Sequence, residues 1–171
     1  MNDLEANAWG IPFLSPRDFY TVNKGASDPC GNAAVIAAGT WLGEAGLFRD
    51  GPEPRWLAAE MKGPSPAAAI SRAGLGGRSA LCARALDLFV SLYGAEAGNL
   101  ALKLMATGGV YIGGGIAPKI ASKFKGGRFM KAFTDKGRMG PLLCAVPVRL
   151  ILNDDAALLG AARRAAFPPE R

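Results

Sequence analysis

The run of residues 108–119, Gly-Gly-Val-Tyr-Ile-Gly-Gly-Gly-Ile-Ala-Pro-Lys, constrains the fold more than any other part of the chain. Its β-branched and aromatic centre predicts a buried strand, and Gly113, Gly114 and Gly115 predict a tight turn after it. Pro118 suits the first turn of a helix. Because N–H groups at a helix N-terminus attract phosphates, this turn is a candidate nucleotide site. A plain glycine turn that binds nothing explains the same residues, and the sequence leaves both interpretations open.

The composition indicates one globular domain. The chain has 171 residues, of which 50% are hydrophobic and 20% are charged, enough for a core of its own. It contains no histidine, which excludes a Ser-His or Cys-His catalytic pair and any histidine metal site within this chain. The three cysteines, Cys30, Cys82 and Cys144, form no CxxC pair and are predicted to be reduced, mostly buried thiols.

The charge and hydropathy patterns restrict the partners of the chain. The net charge is +6, and the excess of lysine and arginine is concentrated between residues 119 and 138. No aromatic ladder or arginine-rich repeat accompanies it, so we expect no nucleic-acid partner. No apolar run approaches the ~20 residues that span a membrane, and the N-terminus lacks the basic segment of a signal peptide. We therefore expect a cytoplasmic protein without a membrane partner.

Hydrophobic periodicity predicts an α/β chain with one sheet covered by helices. Helices are predicted at residues 2–10, 56–61, 66–73, 79–105, 129–134 and 156–166, with another that begins at Pro118. Strands are predicted at residues 19–22, 33–38, 44–48, 110–112 and 146–152. The strands at 33–38 and 44–48 are expected to form a hairpin. The pattern changes abruptly from strand to helix at Gly51 and Pro52.

The long helix at residues 79–105 carries two specific predictions. Helical spacing favours a core-facing stripe of larger side chains: Leu81, Ala85, Leu88, Phe89, Leu92 and Tyr93. Gly94 and Gly98 are predicted to let another backbone pack closely against the helix. The helix at 2–10 is expected to place Leu4, Ala8 and Ile11 on one side.

Six segments of the chain, taken in order, resemble bacterial glucokinases of the non-repressor branch. They are residues 2–8, 39–43, 98–102, 108–118, 133–138 and 157–161. The resemblance implies an α/β fold, the C-terminal lobe of a ribonuclease H-like (hexokinase/actin-like) ATPase, with a mixed sheet flanked by helices. It also implies a glycolytic reaction in which glucose is phosphorylated at its 6-hydroxyl by ATP with Mg²⁺.

The resemblance assigns the start of the chain to the sugar and its activation. Asp3 matches the family's catalytic aspartate, which accepts the proton of the sugar 6-hydroxyl as that oxygen attacks the γ-phosphate. Asn2 matches the neighbouring residue that hydrogen-bonds sugar hydroxyls. From spacing alone, Asn2 and Glu5 form a capping box at the start of a helix, so a purely structural role is the alternative.

The resemblance assigns two glycine-rich segments to the nucleotide. Gly39, Thr40 and Gly43 match the loop that holds the ATP phosphates, and Gly113, Gly114 and Gly115 match the wall beside the adenosine. Trp41 stands where the family has glycine, and its indole would occupy space near the phosphates.

The chain also departs from the family pattern. The family's Asp-x-Gly-Gly-Thr motif for phosphate and magnesium precedes Asn-Asp, whereas here Met1 directly precedes Asn2, so we expect that lobe to be absent. The Glu-Gly-Gly-His sugar-binding segment is also absent, and we interpret the break near Gly51 and Pro52 as an internal deletion. The chain is thus expected to be a single truncated lobe, with the catalytic helix and phosphate-loop hairpin in residues 1–51 and the helical and adenosine-side part in residues 52–171.

These departures leave two functions open. The first is an active glucokinase, for which a separate chain could supply the missing lobe. The second is a catalytically inactive remnant that binds at most a nucleotide or a partner. Apolar surface left uncovered by the deletion predicts a homodimer or other self-association.

Overall fold

The structure, a computed structural model, describes residues 3–26, 28, 31–38 and 65–166. The helices are α1 (Asp3–Gly10), α2 (Pro66–Leu75), α3 (Ala80–Leu104), α4 (Ala121–Phe124), α5 (Arg128–Thr134), α6 (Gly140–Ala145) and α7 (Ala156–Ala166). The strands are β1 (Phe19–Asn23), β2 (Ala33–Ala37), β3 (Gly109–Gly113) and β4 (Val148–Ile151). The predicted strand at 44–48 and helix at 56–61 lie outside the described residues.

The four described strands form one mixed sheet in the order β1-β4-β3-β2. Strands β2, β3 and β4 run parallel, while β1 pairs antiparallel with β4 at the edge. In the parallel part Ala37 lies opposite Gly113, so β2 and β3 end together at one edge of the sheet. This mixed sheet between helices confirms the predicted fold class.

The hydrophobic core lies between one face of the sheet and helices α3 and α5. The sheet contributes buried side chains from three strands: Ala34, Ile36, Val110, Ile112, Val148 and Leu150. Phe129 and Phe133 of α5 are fully buried against them. Burying a side chain of this size contributes about 1.5–3 kcal/mol, so this layer accounts for much of the stability of the fold.

Helix α3 packs so closely against α5 that its glycines contact the α5 backbone. A Cβ at Gly94 would overlap the carbonyl oxygen of Phe129, and a Cβ at Gly98 would overlap that of Phe133. Only glycine leaves room for such an approach. The predicted role of Gly94 and Gly98 is therefore confirmed.

The predicted core stripe of α3 is partly wrong. Leu88 and Leu92 are 53% and 56% exposed, and the buried stripe is Cys82, Leu86, Val90, Tyr93, Ala97 and Ala101. The reason is the α5 contact, which turns the small residues of α3 inward. Leu88 and Leu92 consequently lie on the opposite side of the helix.

Three further expectations are corrected by the structure. The helix predicted from Pro118 is short, a 3₁₀ turn at Pro118–Ile120 followed by the four residues of α4. Helix α6 was not predicted, because its six residues are too few for a periodic pattern. Cys82 is buried as expected, but Cys144 is exposed, and both are free thiols. Cys30 lies outside the described residues.

Helices α1 and α7 pair with each other through two glycines. A Cβ at Gly10 would overlap the carbonyl oxygen of Ala156, and one at Gly160 would overlap that of Ala6 and stand 2.6 Å from the nitrogen of Gly10. The buried positions of α1 that the structure describes are accordingly Ala6 and Gly10, while Ala8, which was expected on the apolar side, is exposed.

None of the helices in the described part of the chain is both long enough and apolar enough to cross a bilayer.

Candidate functional site

The glycine turn after β3 lies against the end of β2. Gly114 has a positive φ of 86°, and a Cβ there would stand 2.7 Å from the carbonyl oxygen of Ala38. Both observations require glycine at position 114. The turn is therefore packed directly on the residue at which the described part of β2 leaves the sheet.

The glycine turn and helix α1 meet at this edge of the sheet. Ala38, on which Gly114 packs, is the last described residue before the segment assigned to the phosphates, and Gly39 follows it in sequence. A Cβ at Gly113 would lie 3.8 Å from Cγ of Asn7, which brings α1 to the same edge. Asp3 is the first residue of α1, one turn before Asn7.

The described residues cover this site only in part. The backbone of Asp3 lies in α1, whereas its side chain is outside what the structure describes, as are Asn2, Gly39, Thr40, Trp41 and Gly43. Their assigned roles therefore remain predictions. Gly113, Gly114 and Gly115 are described: Gly113, which was predicted to belong to the turn, is the last residue of β3, and Gly114 and Gly115 form the bend that follows it.

A buried tyrosine of α3 joins the two strand ends. The Tyr93 hydroxyl oxygen accepts a hydrogen bond from the Ala38 N–H at 2.9 Å, and the hydroxyl donates to the Ile36 carbonyl at 3.1 Å. The Gly113 carbonyl lies 3.4 Å from the same oxygen. One phenol thus connects the ends of β2 and β3 immediately before both glycine-rich segments.

The surroundings of Tyr93 keep this hydroxyl neutral and fixed. Its ring packs edge-on against Phe89, Phe124 and Phe129, with centroid distances of 5.7, 6.1 and 6.2 Å. Burial raises the pKa of the Tyr93 phenol well above its ordinary value. The hydroxyl therefore keeps its proton at physiological pH and acts as a donor and an acceptor at once.

The structure changes the reason for considering the glycine turn a ligand site. The helical segment after the turn has only seven residues, divided between a 3₁₀ turn and α4, so its dipole is small. Gly115 provides a different reason, because a Cβ there would meet no heavy atom within 4 Å. Packing requires glycine at 114, but nothing among the described residues requires it at 115.

The basic segment at residues 119–138 is partly engaged in contacts within the fold. Lys123 forms an ion pair with Asp87 at 2.9 Å, and Arg128 approaches the same carboxylate at 3.5 Å. The Lys125 ammonium stands over the ring of Tyr20 at 5.2 Å. These contacts tie α4 and α5 to α3 and β1.

Comparison with known proteins identifies relatives over nearly the whole chain. A family model described as glucokinase matches residues 1–63 and 58–167. A glucokinase from Nostoc sp. is 52% identical over 239 residues, covering 97% of this chain and 70% of the relative. A glucokinase from Trichormus variabilis is 50% identical with the same coverage of each chain.

A crystal structure has the same fold. A glucokinase from an Antarctic psychrotroph superposes with a TM-score of 0.73 at 27% identity, over 95% of this chain and 66% of that one. The sheet and its helices are therefore a lobe of the hexokinase-like α/β fold. With the family match over both parts of the sequence, the chain belongs to the glucokinase family.

The alignments also locate an internal discontinuity. The aligned region of the Nostoc relative is 239 residues long, which is more than the 171 residues of this whole chain, so the relative has residues within that region that this chain lacks. The two pieces of the family match meet at residues 58–63, a few residues after the predicted junction at Gly51 and Pro52. The chain spans 66% of the crystallised relative, just under two thirds.

Sequence reasoning missed the role of Tyr93. The sequence pattern identified Tyr93 only as part of an apolar stripe on the helix. A phenol among phenylalanines and leucines on a core-facing helix must find hydrogen-bond partners, and that need was the available clue.

We predict that Tyr93→Phe lowers the free energy of unfolding by about 1–3 kcal/mol, because the buried Ala38 N–H loses its acceptor. Hydrogen exchange at the Ala38 amide should accelerate in the variant, and urea denaturation measures the stability. Tyr111→Phe is the control, since the Tyr111 hydroxyl makes only a long 3.4 Å contact with Arg149. Equal stability and equal Ala38 exchange in the Tyr93 variant would contradict the assigned bond.

Proposed function

We propose that this chain acts in the ATP-dependent phosphorylation of glucose at the 6-hydroxyl, the reaction after which its relatives are named. One observation carries the proposal. Tyr93 joins the ends of β2 and β3 at the sheet edge where Gly114 packs on Ala38 and Asn7 of α1 approaches Gly113. The residues that the resemblance assigns to the reaction are neighbours of these elements in the sequence, and this supports the proposal.

In this proposal Asp3 accepts the proton of the sugar 6-hydroxyl as that oxygen attacks the γ-phosphate of ATP. A carboxylate suits the step because phosphoryl transfer depends mainly on a positioned nucleophile whose proton can be taken up. Asn2 hydrogen-bonds sugar hydroxyls beside it. The glycine pair at Gly10 and Gly160 holds α1 on α7 and thereby fixes the helix that carries Asp3.

The nucleotide is proposed to lie across the sheet edge, with its phosphates at Gly39, Thr40 and Gly43 and its adenosine beside Gly113–Gly115. The open space beside Gly115 supports this placement, since a ligand can approach the backbone there. Trp41 stands where the family pattern has glycine, so a bulky side chain replaces a hydrogen atom within the segment proposed to bind the phosphates.

The described residues contain no cluster of metal ligands. Among them, no group of three or more His, Cys, Asp or Glu side chains is arranged to hold a metal ion. Because Mg²⁺ is usually bound through one or two carboxylates together with water and substrate phosphates, it is proposed to enter with ATP, while this chain positions the substrates and accepts the proton.

A second candidate function is nucleotide or partner binding without catalysis. The internal discontinuity favours it, because residues that the relatives have within the aligned region are missing here. Phosphoryl transfer relies on electrostatic stabilisation from all sides of the cleft, so an incomplete cleft could bind the nucleotide without turning it over.

We also propose a cytoplasmic location. The free thiols of Cys82 and Cys144 suit a reducing compartment, and that compartment supplies ATP and glucose to glycolysis.

We predict that Asp3→Ala lowers kcat at least about 100-fold, because the proton of the 6-hydroxyl loses its acceptor. A coupled assay for glucose 6-phosphate, with glucose, ATP and Mg²⁺ as reactants, measures the rate. Asp154→Asn, at an exposed carboxylate beside α7, is the matched control and should keep the rate of the unchanged chain. Absence of turnover in the unchanged chain would favour the binding function, and turnover that survives Asp3→Ala would contradict the role of Asp3.

We predict that Gly115→Ala weakens ATP binding about tenfold while stability stays within about 0.5 kcal/mol, since the new methyl group meets ligand and no protein atom. Calorimetric titration with ATP and thermal unfolding measure the two effects. Gly114→Ala serves as the contrast, because it should lower stability by about 1–2 kcal/mol through its positive φ. Unchanged ATP affinity in Gly115→Ala would argue against the adenosine wall.

We propose that the chain self-associates through the exposed leucines of α3, and we predict a dimer or larger species by light scattering. Leu88 and Leu92 lie one turn apart on the outer face of the helix, where burial against a second copy removes apolar area from water. The double variant Leu88→Glu, Leu92→Glu should have the mass of a monomer. A monomeric unchanged chain at high concentration would refute the proposal.

A further inference from the structure

The outer face of the sheet contains a groove that the proposed reaction does not use. The groove has a volume of about 550 Å³, within the range of about 300–1,000 Å³ that is usual for small-molecule sites. Ile11, Leu14 and Phe19 contribute to an apolar wall, and Thr21, Tyr111 and Arg149 form a polar floor.

Strand register places the three floor residues in one row. Thr21 of β1 lies opposite Arg149 of β4, and Arg149 lies beside Tyr111 of β3. Their neighbours Val110 and Ile112 point into the core on the other face. The row therefore presents two hydroxyls and one guanidinium toward the groove.

Arg149 has capacity for an additional partner. Its guanidinium carbon stands 5.6 Å from the centre of the Tyr111 ring, and Nη1 lies 3.4 Å from the Tyr111 hydroxyl oxygen. Among the described residues, no carboxylate lies within ion-pair distance of Arg149. A half-buried guanidinium with most of its five N–H donors unused favours an anion.

Asp18, which directly precedes the groove residue Phe19 in sequence, is engaged elsewhere. Asp18 accepts hydrogen bonds from the Ser15 hydroxyl and backbone N–H, both at 2.7 Å, and from Asn153 at 3.2 Å. The hydrogen bonds from Ser15 lower the pKa of the Asp18 carboxyl. Asp18 is therefore not a partner of Arg149, whose guanidinium contacts Tyr111.

We propose that the groove binds a small monocarboxylate with an apolar or aromatic body. The planar guanidinium of Arg149 binds the carboxylate through two parallel hydrogen bonds, while the apolar wall covers the body of the ligand. A single arginine matches one negative charge, which favours a carboxylate over a phosphate dianion. The proposal concerns a ligand other than glucose and ATP and does not depend on the kinase reaction.

Calorimetric titration with 3-phenylpropanoate and its uncharged analogue 3-phenylpropanamide tests the proposal on the full chain. We expect the unchanged chain to bind the carboxylate in about the millimolar range and at least about tenfold more tightly than the amide. Arg149→Met should abolish this preference, whereas Arg149→Lys should keep part of it. Methionine still packs on the Tyr111 ring, and thermal unfolding verifies that each variant is folded.

Arg138→Met is the matched control, since Arg138 is an exposed arginine in the 3₁₀ turn Gly137–Met139, and it should leave both affinities unchanged. A purely structural role for Arg149 predicts a lower Tm in Arg149→Met without a change in the ratio of the two affinities. An unchanged affinity ratio in Arg149→Met would overturn the proposal. It would also be overturned if the unchanged chain bound acid and amide equally, or did not bind the acid at about 10 mM.

Discussion

The hydrogen bonds of the Tyr93 hydroxyl are the interaction on which the arrangement of the candidate site depends. The hydroxyl accepts from the Ala38 N–H and donates to the Ile36 carbonyl at the end of β2. Its oxygen also lies 3.4 Å from the Gly113 carbonyl at the end of β3. The backbone hydrogen bonds between strands fix the strand spacing, but they do not prevent fraying of the last residues of each strand. A buried phenol held by three phenylalanine rings removes that freedom at the point where both glycine-rich segments begin.

The two glycine pairs of the fold place helices at distances that larger residues would prevent. Gly94 and Gly98 bring α3 onto the backbone of α5, and this contact sets the depth at which Tyr93 enters the core. Family membership adds that this lobe recurs in related kinases. The groove beside Arg149 lies on the opposite face of the sheet.

Much of the fold could be predicted from the sequence, because its strongest signals are local. The 25-residue helix α3 has a serine cap, in which the Ser79 hydroxyl accepts from the Cys82 N–H at 3.2 Å, and a sustained apolar period. Strand β3 and its glycine turn are equally distinct. The exposure of Leu88 and Leu92 could not be predicted, because it depends on which face of α3 meets α5. The partners of Tyr93 lie 55 and 57 residues away in sequence, so no local pattern contains them.

Helices α1 and α7 are held together by Gly10 and Gly160, although they stand at opposite ends of the described chain. Bringing such distant segments together carries a loop-closure cost, which is smaller once the intervening sheet has formed. We therefore expect the helix that begins with Asp3 to be among the last elements to gain its native surroundings as the chain folds. Folding of the sheet is consequently a precondition for placing the proposed proton acceptor, and a nascent chain that lacks α7 has not yet formed this part of the site.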